Sequence, residues 1–313
     1  MLAARVSERE SQIVIGLDPD PAALWPGTEQ AAATDLPTDA ERGTGAELLP
    51  AERAAAAVLR HCREVIDATA DACVAVKPQL ARFELLGAPG WAVLEAVVAH
   101  AHERGLLVIA DGKRGDIDVT ARAYAEALIE GRETPFGRLD GLDADLVTVN
   151  PLMGMDGLEP FVTAARTCGA GVLVLVRTSN PGAADVEDLQ LADGGTVWQR
   201  VASIVHELGA AGVGESGLSD IGAVMGATQP AHLARARELM PDAFFLLPGV
   251  GVQGGRVEDL APAFAPGRAG GLVTASRSIV DAYAKNGGDP AHAAHAEAER
   301  LREQAWALSA VPA

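Results

Sequence analysis

Charged side chains of opposite sign cluster in one short stretch of the chain, DGKRGDI, which begins at Asp111. Asp111 and Lys113 stand two residues apart where an apolar run ends, so both are expected on the same side of a strand. Lys77 ends the preceding apolar run. Asp116 and Thr120 follow, four residues apart at the start of a helical pattern, and should share a helix face. Such opposite charges favour each other's ionised forms, and a fixed ammonium can stabilise negative charge that develops in a reaction.

A second group of residues suits the binding of an anion. The glycine-rich segment PGVGVQGG, residues 248–255, follows the seventh apolar run, and SRSI, residues 276–279, follows the eighth and opens a helix. Free backbone N–H groups in such loops complement a phosphate. Gly254 and Gly255 permit close approach of the backbone to a ligand, and Arg277 supplies a planar guanidinium that can pair with a phosphate through two hydrogen bonds. The two loops together predict a phosphate site.

Eight short apolar runs, which alternate with Ala-rich helical patterns, supply the elements that must position these groups. The predicted strands span residues 12–18, 72–77, 106–111, 145–150, 171–177, 221–226, 243–248 and 271–275. This alternation predicts parallel strands joined by helices, and eight such units in 313 residues predict a single (β/α)8 TIM barrel domain over residues 1–313. A doubly wound open sheet is disfavoured, because no GxGxxG follows the first strand.

Polar residues end several of the predicted strands. In a barrel these ends meet at one face, where catalytic residues lie. The residues expected there are Asp18, Lys77, Asp111, Lys113, Asn150 and Arg177. The long segments 19–50 and 178–195 follow the first and fifth strands on the same face. A structural network of ion pairs is the alternative interpretation of the charged cluster, and the position at strand ends favours an active site.

The tail of the chain predicts one helix beyond the eight units. Asp289 is suited to the N-cap and Pro290 to the first helical position, and the helical pattern runs to Leu308.

Composition limits the classes of partner. The chain is 49% hydrophobic, and its 43 acidic and 25 basic residues give a net charge of −18, which disfavours nucleic acids and anionic membranes. No apolar stretch approaches the roughly 20 residues that span a bilayer. The three cysteines lack metal-type spacing and are expected to be small core residues in a reducing cytoplasm, and the seven histidines form no ligand motif. We therefore expect a cytoplasmic protein without a bound metal.

The sequence resembles the orotidine 5'-phosphate decarboxylase family over essentially its whole length, and in particular the longer bacterial (type 2) branch. The motifs that carry the resemblance are GLDPD at 16–20, KPQ at 77–79, ADGKRGDI at 110–117, VNPLMGMDG at 149–157, RTSNPG at 177–182, PGVGVQGG at 248–255 and SRSI at 276–279. The element DxKxxDI with a threonine three residues on is highly specific, and here that threonine is Thr120. Asp118 departs from the pattern, which usually has a small residue there.

The resemblance implies a decarboxylase that turns orotidine 5'-phosphate into uridine 5'-phosphate without a cofactor or metal. It also implies a homodimer with shared active sites. Lys77, Asp111, Lys113 and Asp116 would form an alternating charged tetrad, in which Lys113 donates a proton. Asp116 and Thr120 would reach into the partner's site.

The resemblance also implies contacts with each part of the substrate. Asp18 and Lys77 would bind the ribose. Asn150 and Ser179 would lie near the pyrimidine, with Thr178 as the alternative to Ser179. Gln253 and Arg277 would hold the phosphate, in the loop that also contains Gly254 and Gly255.

Two other functions remain open at this point. A sugar-phosphate aldolase or synthase on a related barrel would share the phosphate site and the DxK pair, but it usually needs a metal or a Schiff-base lysine. A non-catalytic barrel that binds a nucleotide is the second alternative.

Overall fold

Eight parallel strands close into a barrel in the computed structural model, which describes residues 1–35, 48–251 and 254–310. The strands in chain order are β1 (Ile13–Leu17), β2 (Ala75–Pro78), β3 (Leu107–Arg114), β4 (Arg132–Thr134), β5 (Gly137–Leu139), β6 (Leu146–Val149), β7 (Gly171–Arg177), β8 (Ile221–Met225), β9 (Phe245–Leu247) and β10 (Gly271–Ala275). The order around the barrel is β1, β2, β3, β6, β7, β8, β9 and β10, and β10 pairs again with β1. All eight predicted strands and the predicted barrel are confirmed.

Helices connect these strands. They are α1 (Leu2–Arg9), α2 (Thr28–Asp35), α3 (Pro50–Thr69), α4 (Leu80–Glu84), α5 (Ala88–Glu103), α6 (Asp118–Ala125), α7 (Met155–Cys168), α8 (Ala183–Val186), α9 (Val197–Gly209), α10 (Pro230–Leu239), α11 (Arg277–Val280), α12 (Ala282–Asn286) and α13 (Pro290–Leu308). A π-helical turn, Glu126–Glu130, continues α6. The predicted C-terminal helix is α13, and the Asp289 side chain caps it by accepting a hydrogen bond from the His292 amide at 2.9 Å.

Alternate residues of each strand divide the core into two layers. Ile13 and Ile15 point towards the surrounding helices, whereas Val14 between them points into the barrel. The barrel interior is filled by aliphatic side chains such as Leu107 and Leu272, all almost completely buried. Because successive side chains of a strand point to opposite faces, the apolar residues of these strands are buried on both sides. The aliphatic composition therefore gives a filled barrel with its polar groups left to the ends.

Four local features differ from the sequence predictions. Strand β3 continues to Arg114, three residues past its predicted end, with a shift in register against β6. Helix α6 begins only at Asp118, so Asp116 precedes the helix and does not share a helix face with Thr120. The hairpin β4–β5 was not predicted. Cys168 is exposed, unlike the buried Cys62 and Cys73, because it ends α7 at the surface.

The connection between β9 and β10 is a 3-10 helix, Val257–Phe264, in place of an α-helix. Pro262 lies inside it and lacks the N–H that an α-helical hydrogen bond requires. Within the described parts of the chain, no helix is long and apolar enough to cross a membrane.

Candidate active site

A buried aspartate between two lysines forms the centre of the site. Asp111 Oδ2 lies 2.5 Å from Lys77 Nζ, and Asp111 Oδ1 lies 2.5 Å from Lys113 Nζ. Gln79 Nε2 donates to Oδ2 at 3.2 Å, and the Thr148 hydroxyl donates to Oδ1 at 3.0 Å. Each carboxylate oxygen thus receives one charged and one neutral hydrogen bond. Two of the three lysines in the chain contact this single carboxylate.

The two ammonium groups decide the charge of Asp111. Burial opposes its ionisation, but the charges of Lys77 and then Lys113, together with their hydrogen bonds, outweigh burial and lower the pKa of Asp111 below its ordinary value. Lys77 is buried, whereas the Lys113 side chain is 44% exposed and reaches the open mouth of the barrel. The site therefore holds one fixed negative charge beside an accessible ammonium.

Strands β3 and β6 fix this geometry through the backbone of Lys113. The φ of Lys113 is 47°, in the left-handed region that non-glycine residues rarely adopt. The Lys113 amide donates to the Thr148 hydroxyl at 2.9 Å, and the same hydroxyl donates to Asp111. A Cβ on Gly112 would lie 2.7 Å from the Leu80 side chain, so glycine lets β3 approach α4 here. The sequence prediction that Asp111 and Lys113 point the same way is confirmed.

Sequence reasoning did not identify Gln79 and Thr148 as site residues. Gln79 stands two residues after Lys77, the spacing that places both on one side of a strand, and this was the available signal. Thr148 is the polar residue within the apolar run of β6. Its contact with Asp111 depends on the alignment of β3 with β6, which sequence spacing does not give.

A cavity of about 550 Å³ opens beside this centre. Asp18, Lys77, Gln79 and Arg277 are among the residues that line it, so groups from β1, β2 and the segment after β10 meet there. Gly16 allows this approach: a Cβ on Gly16 would lie 1.8 Å from Ser276 Oγ. The strand ends thus form one concave site of a size typical of small-molecule pockets.

The glycine-rich loop closes on itself. The Gly254 amide donates to the Gly251 carbonyl at 2.9 Å, and the Gly255 amide donates to the Gly249 carbonyl at 3.0 Å. These two amides are therefore not free donors, which corrects the expectation from the sequence. Gly249 and Val250 of the loop do line the cavity. Gln253 lies outside the described residues.

The residues that line this cavity do not include Asp111, Lys113, Asp116, Thr120, Asn150 or Ser179. Asp116 is half-buried and accepts a hydrogen bond from the Ile117 amide at 2.8 Å. Between Asp116 and the lysines of the described chain there is no ion pair within 4 Å. Thr120 is exposed on α6, and Asn150 accepts a hydrogen bond from the Leu152 amide at 3.0 Å. The fold therefore does not bring Asp116 to the lysines of its own chain.

Comparison with known proteins shows the family of the chain. A sequence model of the orotidine 5'-phosphate decarboxylase / HUMPS family matches residues 11–296. The chain belongs to this family. An orotidine 5'-phosphate decarboxylase of Rhodopirellula baltica is 44% identical over 232 residues, 73% of this chain and 74% of the relative. That of Roseiflexus castenholzii is 37% identical over 295 residues, 94% of this chain and 92% of the relative.

A solved structure, OMP decarboxylase from Leishmania donovani, has the same fold. It aligns with a TM-score of 0.71 and 29% identity, over 99% of each chain. The resemblance to the orotidine 5'-phosphate decarboxylase family is thus confirmed at the level of sequence and fold. The assignment to its longer bacterial branch stays a prediction.

Asp118 has a structural explanation within the decarboxylase family pattern, which favours a small residue here. Its φ is 49°, in the left-handed region, where aspartate and asparagine are enriched among residues with a side chain. Asp118 is exposed as the first residue of α6, so its carboxylate remains solvated and lies favourably at the helix N-terminus. The departure therefore leaves the turn between β3 and α6 intact.

Proposed function

We propose that the protein decarboxylates orotidine 5'-phosphate to uridine 5'-phosphate and CO2, a step of de novo pyrimidine biosynthesis. The observation that carries the proposal is the Lys77, Asp111 and Lys113 array at the mouth of the barrel, in a chain of this family. The array supplies a fixed cation where a carbanion forms, and the chemistry needs no cofactor or metal.

The reaction breaks the bond between C6 of the pyrimidine and the carboxylate carbon. The electron pair stays on C6, CO2 leaves, and the Lys113 ammonium donates a proton to C6 and regains one from water. A preorganised ammonium stabilises the developing charge without reorganisation of solvent. Because the Lys113 side chain is 44% exposed, water can reach its Nζ to restore the proton.

Asp111 contributes by repulsion of the substrate carboxylate. Two like charges about 4 Å apart repel by roughly 4 kcal/mol at an effective dielectric constant of 20, or about three powers of ten in rate. Enzymes of very slow reactions need on the order of 20 kcal/mol. Most of the acceleration must therefore come from the lysines and from binding energy of the phosphate that is realised in the transition state.

The rest of the substrate has a partner for each group. Asp18 and Lys77 line the cavity and bind the ribose hydroxyls. Arg277 binds the phosphate together with Gln253, in the loop where Gly254 and Gly255 permit close approach. Asn150 and Ser179 contact the pyrimidine.

The fourth member of the tetrad, Asp116, acts in the site of a second copy, as does Thr120. The support is an exposed apolar patch beside Asp116, whose backbone oxygen packs against Gly157. The patch consists of Ile117, Val119, Leu152 and Met153, which are 47 to 77% exposed. Exposed apolar groups are often part of interfaces, and a two-fold axis through the patch would exchange Asp116 between the sites. The active form is then a homodimer.

An ultraviolet absorbance assay tests the proposed reaction. Purified protein with orotidine 5'-phosphate and a metal chelator should convert the orotidine spectrum into that of uridine. Borohydride added with the substrate should not inactivate it. Inhibition by chelator would indicate a metal-dependent aldolase, and inactivation by borohydride would indicate a Schiff base. An unchanged spectrum with nucleotide bound would indicate a non-catalytic barrel.

A further inference from the structure

Arg177, the last residue of β7, makes a directional ion pair that the proposed chemistry does not use. Its side chain is only 10% exposed, and its Nε and Nη2 donate to the two carboxylate oxygens of Asp188, each at 2.9 Å. A planar guanidinium held by two parallel hydrogen bonds has a fixed orientation. The pair ties the end of a barrel strand to the far side of the loop that follows it.

Thr178 completes a closed ring of contacts. Its amide donates to Glu187 Oε2 at 2.8 Å, and its hydroxyl donates to Glu187 Oε1 at 2.9 Å. Its carbonyl accepts a hydrogen bond from Arg177 Nη1. We call Arg177, Thr178, Glu187 and Asp188 the loop clamp. The amide, hydroxyl and carbonyl of Thr178 all contact the clamp, and the hydroxyl also lies 2.7 Å from Asn180 Oδ1.

Ser179 comes directly after the clamp and is held from the opposite side by β8. The Gly226 amide donates to the Arg177 carbonyl at 2.7 Å. A Cβ on Gly226 would lie 2.9 Å from Ser179 Cα, so the backbone of Ser179 packs against the end of β8. The position of Ser179 is thus fixed by the clamp on one side and by a barrel strand on the other.

We propose that the loop clamp is a positioning device that holds Ser179 against the pyrimidine of the substrate. The identity of the ligand in this proposal rests on the proposed function. Arg177 contacts no substrate atom in this scheme and acts only through Thr178 and Asp188. Its effect should therefore be confined to the base and should not extend to the ribose phosphate, which binds beside β1, β2 and β10.

Substitution of Arg177 by lysine tests the clamp, because lysine keeps the charge but cannot form two parallel hydrogen bonds. Binding of uridine 5'-phosphate and of ribose 5-phosphate is measured by calorimetry. We expect Arg177→Lys to lower the affinity for uridine 5'-phosphate by about tenfold or more, and the affinity for ribose 5-phosphate by less than about twofold. In a Ser179→Ala background the same change should have almost no effect, because coupled residues are not additive.

Arg166→Lys is the matched control. Arg166 also forms a two-point pair with an aspartate, Asp220, at 2.6 and 3.2 Å, but this pair lies at the opposite end of the barrel. Arg166→Lys should leave the affinity for uridine 5'-phosphate and for ribose 5-phosphate unchanged. If Arg177→Lys does not fold, Asp188→Asn replaces it, since the Asp188 side chain is one-third exposed and its loss perturbs less.

Equal losses for both ligands, or the same loss with and without the Ser179 hydroxyl, would show that the clamp only stabilises the fold. Wild-type protein that binds uridine 5'-phosphate but releases no CO2 from orotidine 5'-phosphate would refute the proposed function, and the contrast between the two ligands would still decide the role of the clamp. Wild-type protein that does not bind uridine 5'-phosphate would overturn both.

Discussion

Arg277 presents an exposed guanidinium to the cavity, and among the residues that the structure describes it has no hydrogen-bond or ion-pair partner. Its substitution should therefore affect ligand binding with little effect on the fold. We predict that Arg277→Ala lowers kcat/KM for orotidine 5'-phosphate by roughly 10- to 150-fold, the equivalent of about 1.5–3 kcal/mol for a hydrogen bond to a charged group. Steady-state kinetics measures the loss.

The control for this prediction is Arg256→Ala. Arg256 follows the same glycine-rich loop, but it pairs with Glu258 at 3.4 Å and does not line the cavity. The kcat/KM of Arg256→Ala for orotidine 5'-phosphate should be close to that of wild type. On the nucleoside orotidine, which has no phosphate, wild type and Arg277→Ala should be equally slow. An Arg277→Ala variant that is as impaired on the nucleoside as on the nucleotide would show that Arg277 does not bind the phosphate.

At this scale, residue spacing predicted the contacts made within one strand. Asp111 and Lys113 were expected together because residues two apart on a strand point the same way, and their side chains meet. The contact between Asp111 and Thr148 was not predictable, because it depends on how β3 and β6 align across 37 residues of sequence. Free backbone amides were expected in the glycine-rich loop, but those of Gly254 and Gly255 bond within it, because such a loop can also satisfy its own donors.

Trp25 joins three elements around the cavity. It lies in the segment after β1, and its indole N–H donates to the Val280 carbonyl at the end of α11, at 2.9 Å. Its amide donates to His61 Nδ1 on α3 at 3.3 Å, and the two rings contact edge to face. His61 must be the tautomer with a bare Nδ1 to accept this bond. The contact between Trp25 and His61 therefore requires a neutral imidazole. Through Trp25 it helps to hold α11, which begins with Arg277.

Burial lowers the pKa of His61 from 6.5 to about 4. Between these values the unfolded chain binds a proton that the folded protein excludes. The stability that His61 contributes is thus fully present above pH 6.5 and is lost as the pH falls towards 4. At about 1.4 kcal/mol per pKa unit, the loss is about 3 kcal/mol. Urea unfolding at several pH values should show it.

His61→Gln keeps an acceptor for the Trp25 amide but cannot titrate. We expect the difference in free energy of unfolding between wild type and His61→Gln to change between pH 6.5 and 4 and to be constant between pH 7 and 8. A difference that does not vary with pH would contradict a neutral, buried His61.

Whether a segment is a helix or a strand was predictable where the hydrophobic pattern was strong. The residues at which these elements begin and end were not. The eight strands follow from apolar runs that are buried on both faces. The start of α6 at Asp118 was missed, because β3 runs three residues further than its apolar run and displaces the turn. The hairpin β4–β5 was missed because its residues are exposed or half-buried and carry no hydrophobic alternation.

At the scale of the whole molecule, Asp116 lies with an exposed apolar patch outside its own cavity. If the partner's site uses Asp116, Lys113→Ala and Asp116→Asn should each be nearly inactive alone. Unfolded together and refolded as a mixture, about half of the dimers are hybrids, each with one intact site. We predict that activity recovers to about a quarter of wild type. Exchange of subunits seen by native mass spectrometry without recovered activity would mean that both residues serve one chain's site.

The barrel was predictable from one chain, because its strands and helices each bury their own apolar face. The proposed shared site could not be predicted from residue spacing, since it depends on a surface that no spacing within the chain defines. The family resemblance supplied that expectation. That residues 1–313 form one barrel domain stays a prediction, and residues 36–47, 252–253 and 311–313 lie outside the described residues.

In the proposed mechanism Lys113 delivers a proton to C6 as CO2 leaves, and NMR of the reaction in D2O tests this step. Wild-type protein should produce uridine 5'-phosphate with deuterium at C6. Lys113→Ala should form none, yet bind uridine 5'-phosphate with nearly wild-type affinity, because the ammonium is needed chiefly as the carbanion forms. Lys285 is exposed on α12, and Lys285→Ala should form the deuterated product at the wild-type rate. Deuterated product from Lys113→Ala at the wild-type rate, or no product from wild type, would contradict the account.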